Sequence, residues 1–218
     1  PPRSTLFPYT TLFRSETYLK DILERHNVAF PETLALIADE LCSAVGSLTN
    51  ASKIADTLMT VRQTKIDSET VGTYLGYLTE AYLFDRSDRY DVKGRKYFSY
   101  PSKYYCVDTG LRNARLNFRQ LEETHLMENI IYNELQYRDF NVDVGVVEYN
   151  HRNEMGKSVR SRLEIDFVAS KGSKKYYVQS ALSISDEEKR LQETNSLYRV
   201  ADSFKKIVVV KDRIIPWH

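Results

Sequence analysis

Three carboxylates stand where oxygen chemistry could be done. Glu128 and Glu134 lie in a stretch of helical period from His125 to Tyr137, and Asp166 lies in the apolar run Glu164-Ile165-Asp166-Phe167-Val168. Gln179 and Ala181 follow in Val178-Gln179-Ser180-Ala181. Carboxylate oxygens bind hard cations such as magnesium, but such a cation needs several of them together. Asp166 is the candidate metal ligand, and its competing reading is an aspartate near a turn that hydrogen-bonds backbone. Glu128, in a first helical turn, would also favour the helix dipole, whereas Glu134 sits among apolar neighbours, which makes it the better site candidate.

A second set of residues is cationic. Lys93, Arg95 and Lys96 flank Gly94, and Lys157, Arg160 and Arg162 follow Arg152 in a polar stretch. Both runs could contact phosphate oxygens, and both also suit solvated turns. Other chemistries find no residues. Gly94 and Gly172 have lysine neighbours but neither belongs to G-x-x-x-x-G-K-[ST], so no phosphate cradle is present. Cys42 and Cys106 form no CxxC unit, and His26, His125, His151 and His218 lack metal-site spacing. A disulfide framework and a structural zinc site are not expected, and a reducing, cytoplasmic setting fits.

The 218 residues are 42% hydrophobic and 28% charged, with 31 basic against 30 acidic side chains, the composition of an ordinary globular chain. A net charge of +1 gives no long-range field, so a nucleic-acid contact requires a local patch. No stretch is apolar enough for a membrane span. The N-terminus is unusual: Thr5 to Ser15, TLFPYTTLFRS, matches one reading frame of a common sequencing adapter codon for codon. Residues 1–15 are therefore expected to be an artefact without stable structure, with native sequence from Glu16.

The elements that must position the candidates follow from periodicity. Helices are predicted over Thr17–Arg25, after Pro31, after a Thr49 or Asn50 cap, and from Asp67 through Val71, Tyr74, Leu75 and Leu78. A hairpin about the Lys93-Gly94 turn comes next. Helix, helix, helix and hairpin read as a winged helix-turn-helix over residues 16–102. The second half, 103–218, opens on a short strand at Lys103–Asp108, followed by a helical segment through Leu111 and Ala114 and a helix from about His125 to Tyr137. Then come a strand Asn141–Tyr149, a polar loop Asn150–Ser161, a strand Leu163–Ala169, a Gly172 turn, a strand Lys175–Ser180, a helix Asp186–Phe204 and a strand Ile207–Val210.

The Glu128/Glu134 helix, EIDFV and VQSA together resemble the PD-(D/E)XK nuclease-like core. The resemblance implies a restriction-endonuclease-like mixed sheet flanked by helices, with Asp166 as the metal-binding aspartate, Gln179 in place of the second acid and Ala181 in place of the water-activating lysine. TVGTYLGYLTEAYLFDRSDRY (Thr70–Tyr90), KYYCVDTGLRN (Lys103–Asn113) and Leu126-Met127-Glu128-Asn129 extend the likeness to prokaryotic AAA+-type ATP-binding proteins that carry a winged helix and a C-terminal nuclease-like domain. In that family an ATPase domain precedes this segment, so the resemblance implies truncation at both ends, with ATP and magnesium bound by the ATPase domain and no cofactor in this part. The expected role is interaction with that ATPase domain, a partner protein or nucleic acid. The alternatives are an active metal-dependent nuclease and a winged-helix DNA-binding regulator. The outward positions of the fourth helix (Glu69, Thr70, Gly72, Thr73, Gly76, Thr79 and Glu80) carry no cation, which counts against the regulator.

Overall fold

The structure, a computed structural model, describes residues 7–120, 122–152, 155–184 and 186–211. It is a mixed α/β chain with the element order α1 (Phe7–His26), α2 (Pro31–Ser43), α3 (Ala51–Arg62), α4 (Ser68–Glu80), β1 (Phe84–Asp91), β2 (Lys96–Cys106), α5 (Thr109–Arg115), α6 (Glu123–Tyr137), β3 (Asn141–Arg152), β4 (Ser158–Lys171), β5 (Lys174–Ala181), α7 (Glu187–Tyr198) and β6 (Lys205–Val210). Two compact units divide it: Pro1–Arg86 with Pro101–Glu122, and Ser87–Tyr100 with Glu123–His218. No helix among the described residues is long and apolar enough to cross a membrane.

The first unit is helical. Asn50 Oδ1 accepts from Lys53 N at 2.8 Å and opens α3, Asp67 Oδ1 accepts from Thr70 N at 2.8 Å and opens α4, and Asp108 Oδ1 caps α5. The buried stripes of α2 to α4, among them Leu34, Ile37, Leu41, Ile54, Leu58 and Leu78, form its core. Between α2 and α3, Thr49 bridges to Ser102 through two backbone bonds of 2.9 and 3.0 Å. Cys42 and Cys106 are both buried thiols. A hydrogen bond with Cys106, together with burial, holds the Cys42 thiol well above its ordinary range.

Arg112 lies at the centre of this unit, fully buried. Its Nε donates to Cys42 O at 3.0 Å, and its Nη1 donates to Gln120 O at 2.7 Å and Asn113 Oδ1 at 2.9 Å. One guanidinium thus ties the end of α2 to the segment after α5.

The second unit is built on a sheet of order β2-β1-β3-β4-β5-β6. β1 runs parallel to β3, β3–β4 and β4–β5 are antiparallel, and β5 runs parallel to β6. Helices lie on both faces. Phe167 meets Tyr132 of α6, with ring centroids 6.3 Å apart, while Ile165 and Val168 join Tyr177, Leu197 and Val200 in a buried cluster at α7. That pattern breaks the period of two, and the register gives the reason. Two β4 residues, Asp166 and Phe167, stand opposite Val144 alone, because Asp143 pairs with Val168 and Gly145 with Ile165. This is a β-bulge, a device common beside sites that must re-aim a side chain. Gly145 permits it: a Cβ there would come within 2.9 Å of both Ile165 Cβ and Val168 Cγ2. At the other end Gly172, at φ +59°, makes the tight β4–β5 turn.

Several expectations change. α1 begins at Phe7, so Phe7–Ser15 is helical rather than structureless, since a helix already nucleated gains one hydrogen bond for each residue added at its end; residues 1–6 lie outside the described residues, as do the Ile215–His218 end and residues 212–214. The units do not divide at 102/103. That point falls inside β2, which passes straight through Pro101, and so does the Tyr100/Pro101 boundary between the two units. The hairpin tip read as part of the helical half belongs to the second unit. The polar stretch Asn150–Ser161 is largely strand: β3 and β4 run on as a ladder to Arg152↔Ser158. Helix α7 ends at Tyr198 instead of Phe204.

Candidate functional site

Strands β4 and β5 place Asp166 and Gln179 side by side. The Asp166 backbone N–H donates to Gln179 Oε1 at 3.4 Å. The Asp166 carboxylate, buried, is turned to Ser180: its Oδ2 accepts from Ser180 N at 2.7 Å and from Ser180 Oγ at 2.8 Å. Ala181 is buried as well. On α6 the face toward the core holds Glu128, Asn129 and Tyr132. Glu128 is thus the glutamate carried on the buried side. Glu134 is not: it is exposed and pairs with Arg138, one turn later, at 2.6 Å. Its apolar neighbours misled the reading, because Ile130 is itself 56% exposed.

Two participants were invisible in the sequence. Ser180 is one, since nothing in its type or spacing marks it as the partner of Asp166. Glu193 on α7 is the other: burial, and then the charge of Asp166, raises its carboxyl above the ordinary glutamate range. Among the described residues no group of three or more His, Cys, Asp or Glu side chains is placed to hold a metal ion. The magnesium that the nuclease-like resemblance implies does not fit these residues. One Asp166 oxygen is already committed to two donors, Gln179 is turned to a backbone N–H, and Ala181 brings no ammonium.

The cationic candidates fare differently, for the fold brings the two runs together. Lys93 Nζ donates to Glu148 O at 3.0 Å, and the Glu148 carboxylate pairs with Arg160 and, at 2.8 Å, with Arg162. Lys93, Lys96 and Arg160 line one cavity of about 720 Å³ with Glu148 and Tyr149. Arg95 and Lys157 are exposed nearby in the chain, Arg95 on the β1–β2 turn and Lys157 just before β4. Asp91 shapes that turn by accepting from Lys93 N and Gly94 N.

A second cavity of about 460 Å³ holds Asp88, Tyr97, Asp143 and Lys175. Tyr97 Oη donates to Asp143 Oδ2 at 3.0 Å. Burial, then the Asp143 charge, pushes the Tyr97 phenol up to about 12. Burial also raises the Asp143 carboxyl, with Asp88 adding to the rise and Tyr97 and Lys175 opposing it. A carboxyl raised on folding contributes stability below its unfolded pKa and loses it as pH climbs through the folded value. Asp143→Asn, which keeps an acceptor for Tyr97, should therefore unfold about 1–3 °C above the parent at pH 7. The gain should vanish near pH 3, and a variant less stable than the parent at pH 7 would contradict the account.

Residues 8–122 match the family model described as Domain of unknown function (DUF8612). The match takes in just over half of the chain. The chain belongs to this family. The DUF8612 segment therefore covers nearly all of the helical unit, and the sheet-bearing residues from Glu123 onward lie outside it. An uncharacterized protein of Haemophilus influenzae is 33% identical over 191 residues, 88% of this chain and 44% of its own length. An uncharacterized protein of Methanocaldococcus jannaschii, MJ1544, is 26% identical over 172 residues, 79% of this chain and 36% of its own. The chain thus spans less than half the length of these curated relatives, whose likeness extends beyond the DUF8612 segment. No solved structure matches it.

Proposed function

We propose that this chain is a non-catalytic interaction module, the C-terminal portion of an AAA+-type ATP-binding protein, in which a winged helix is followed by a nuclease-like α/β unit that keeps the fold without the chemistry. The winged-helix reading is supported by α2, the Thr49–Ser102 bridge, α3, α4 and the β1–β2 hairpin in that order. Helix α6, antiparallel β3, β4 and β5, helix α7 and parallel β6 support the nuclease-like reading. Over half of each curated relative lies outside the match, length enough for a nucleotide-binding domain.

The observation that carries the catalytic part is the pair of bonds from Ser180 to Asp166. A carboxylate that serves as an internal acceptor braces two strands, and a magnesium site would need its oxygens and those of a second acid. A sequence-specific regulator is disfavoured, because the outward residues of α4, Glu69, Gly72, Thr73 and Glu80, are exposed and none is cationic. The chain incubated with supercoiled plasmid and with single strands, in magnesium or manganese, should yield no product above the metal-free control. Magnesium-dependent cleavage that disappears in Asp166→Ala would overturn the reading.

A further inference from the structure

We infer that the outer β3–β4 ribbon, with the β1–β2 turn beside it, binds the phosphate backbone of duplex DNA without reading its sequence. The β1 pairing reaches Val146 and the β5 pairing reaches Phe167, while the β3–β4 ladder continues through Glu148↔Arg162, Asn150↔Arg160 and Arg152↔Ser158. Successive side chains alternate, so Arg152, Arg160 and Arg162 share one face of this two-stranded arm. The common contact of Arg160 and Arg162 with Glu148 agrees with that placement. Lys93 reaches the same point from the neighbouring turn.

Charge selects the class of partner. Glu148 is 11% exposed at its side chain and shared by two arginines, whose side chains remain 65% and 54% exposed. Each guanidinium has five donors in a fixed fork, so both keep donors for a second, outer anion. Asp91, the other carboxylate of the cavity, is buried and already occupied by its turn. Lys93, Lys96, Arg160 and Arg162 are thus exposed around the screened Glu148, with the half-buried Glu164 next on the same face, and form a local patch on a chain whose overall charge is near zero.

Shape selects the duplex. Single strands bind where open aromatic rings stack bases, and here the Phe98 and Tyr149 rings lie under guanidinium groups: Arg89 and Arg162 are 5.1 and 5.5 Å from the centroid of Phe98, and Arg199 is 3.8 Å from that of Tyr149. A two-stranded ribbon fits the wide major groove of B-form DNA, whereas the deep, narrow groove of duplex RNA excludes it. Contacts to phosphate position a protein and carry no sequence information.

This inference rests on the reading of the chain as an interaction module, and one set of experiments separates the two. The full chain is titrated into a labelled DNA duplex, a single strand and an RNA duplex of equal length from 50 to 200 mM salt. Duplex DNA should bind tightest, with log K falling against log salt at a slope of about −3 to −4, as four phosphate contacts require. Arg160→Ala with Arg162→Ala should weaken binding at 50 mM salt about 10- to 100-fold and take about 2 from the slope. Arg160→Lys with Arg162→Lys should stay within about threefold of the parent, and Arg190→Ala with Lys205→Ala should leave binding unchanged. No binding at 50 mM salt, equal loss in the control pair, an equal or tighter single-strand complex, or competition by polyglutamate as strong as by DNA would each overturn the inference. Magnesium-dependent cleavage of the bound duplex would instead sink the non-catalytic reading and leave the ribbon contact standing.

Discussion

Arg112→Ala is expected to lower the stability of the helical unit by about 3 kcal/mol or more. The side chain is fully buried, and its truncation strips the donors from Cys42 O and Gln120 O while opening a cavity at the centre of the unit. Each stranded acceptor costs about 1–3 kcal/mol, and the lost volume adds to it. Arg112→Lys should fall nearly as far, because a single ammonium cannot place donors on two carbonyls that a planar fork reaches together. Urea unfolding followed by circular dichroism measures both. A midpoint that moves by less than the equivalent of about 1 kcal/mol for the alanine variant would show that the guanidinium holds nothing in place.

The second large effect falls on Asp166 and separates a brace from a ligand. If the carboxylate serves the fold, Asp166→Ala leaves the Ser180 N–H and Oγ without their acceptor and costs about 2–3 kcal/mol. Asp166→Asn keeps one acceptor oxygen and should recover about half of that loss. A metal ligand behaves in the opposite sense without its metal. A carboxylate held near Glu193 only for a cation would be relieved by neutralisation, and Asp166→Asn would then stabilise the chain. Unfolding of both variants with and without 10 mM magnesium, a roughly chosen excess, decides between these outcomes. Stabilisation by Asn, or a magnesium-dependent midpoint in the parent alone, would return Asp166 to the ligands.

The ordering of elements was legible because it is written in local residues. Asn50 and Asp67 each precede an apolar helical stripe and each accepts a backbone N–H, so the starts of α3 and α4 follow from side chains within three positions of the cap. Valines at 142, 144 and 146 gave β3 in the same way, and Gly172 gave the β4–β5 turn. The polar outer ribbon was read as a loop because solvent on both of its faces leaves no apolar alternation, and its ladder consists of backbone bonds that side chains do not announce.

For the candidate site, the sequence by itself determined which side chains were available: Asp166 and Gln179 bracketing a tight turn, an alanine where the nuclease-like resemblance would place a lysine, and two basic runs about 60 residues apart. Tertiary structure decided what they do. The bulge at Asp166–Phe167 depends on Gly145 of the neighbouring strand, and it is the cross-strand approach of Ser180 that occupies the carboxylate. The choice of Glu128 over Glu134 as the buried glutamate depends on which side of α6 meets the sheet, a question that the exposed Ile130 answered wrongly. The convergence of Lys93 with Arg160 and Arg162 on Glu148 arises because parallel pairing of β1 with β3 lays the hairpin tip beside the ribbon. Residue type fixes the charge and the donors, but only non-local strand pairing sets which charges share a surface, and no local pattern encodes it.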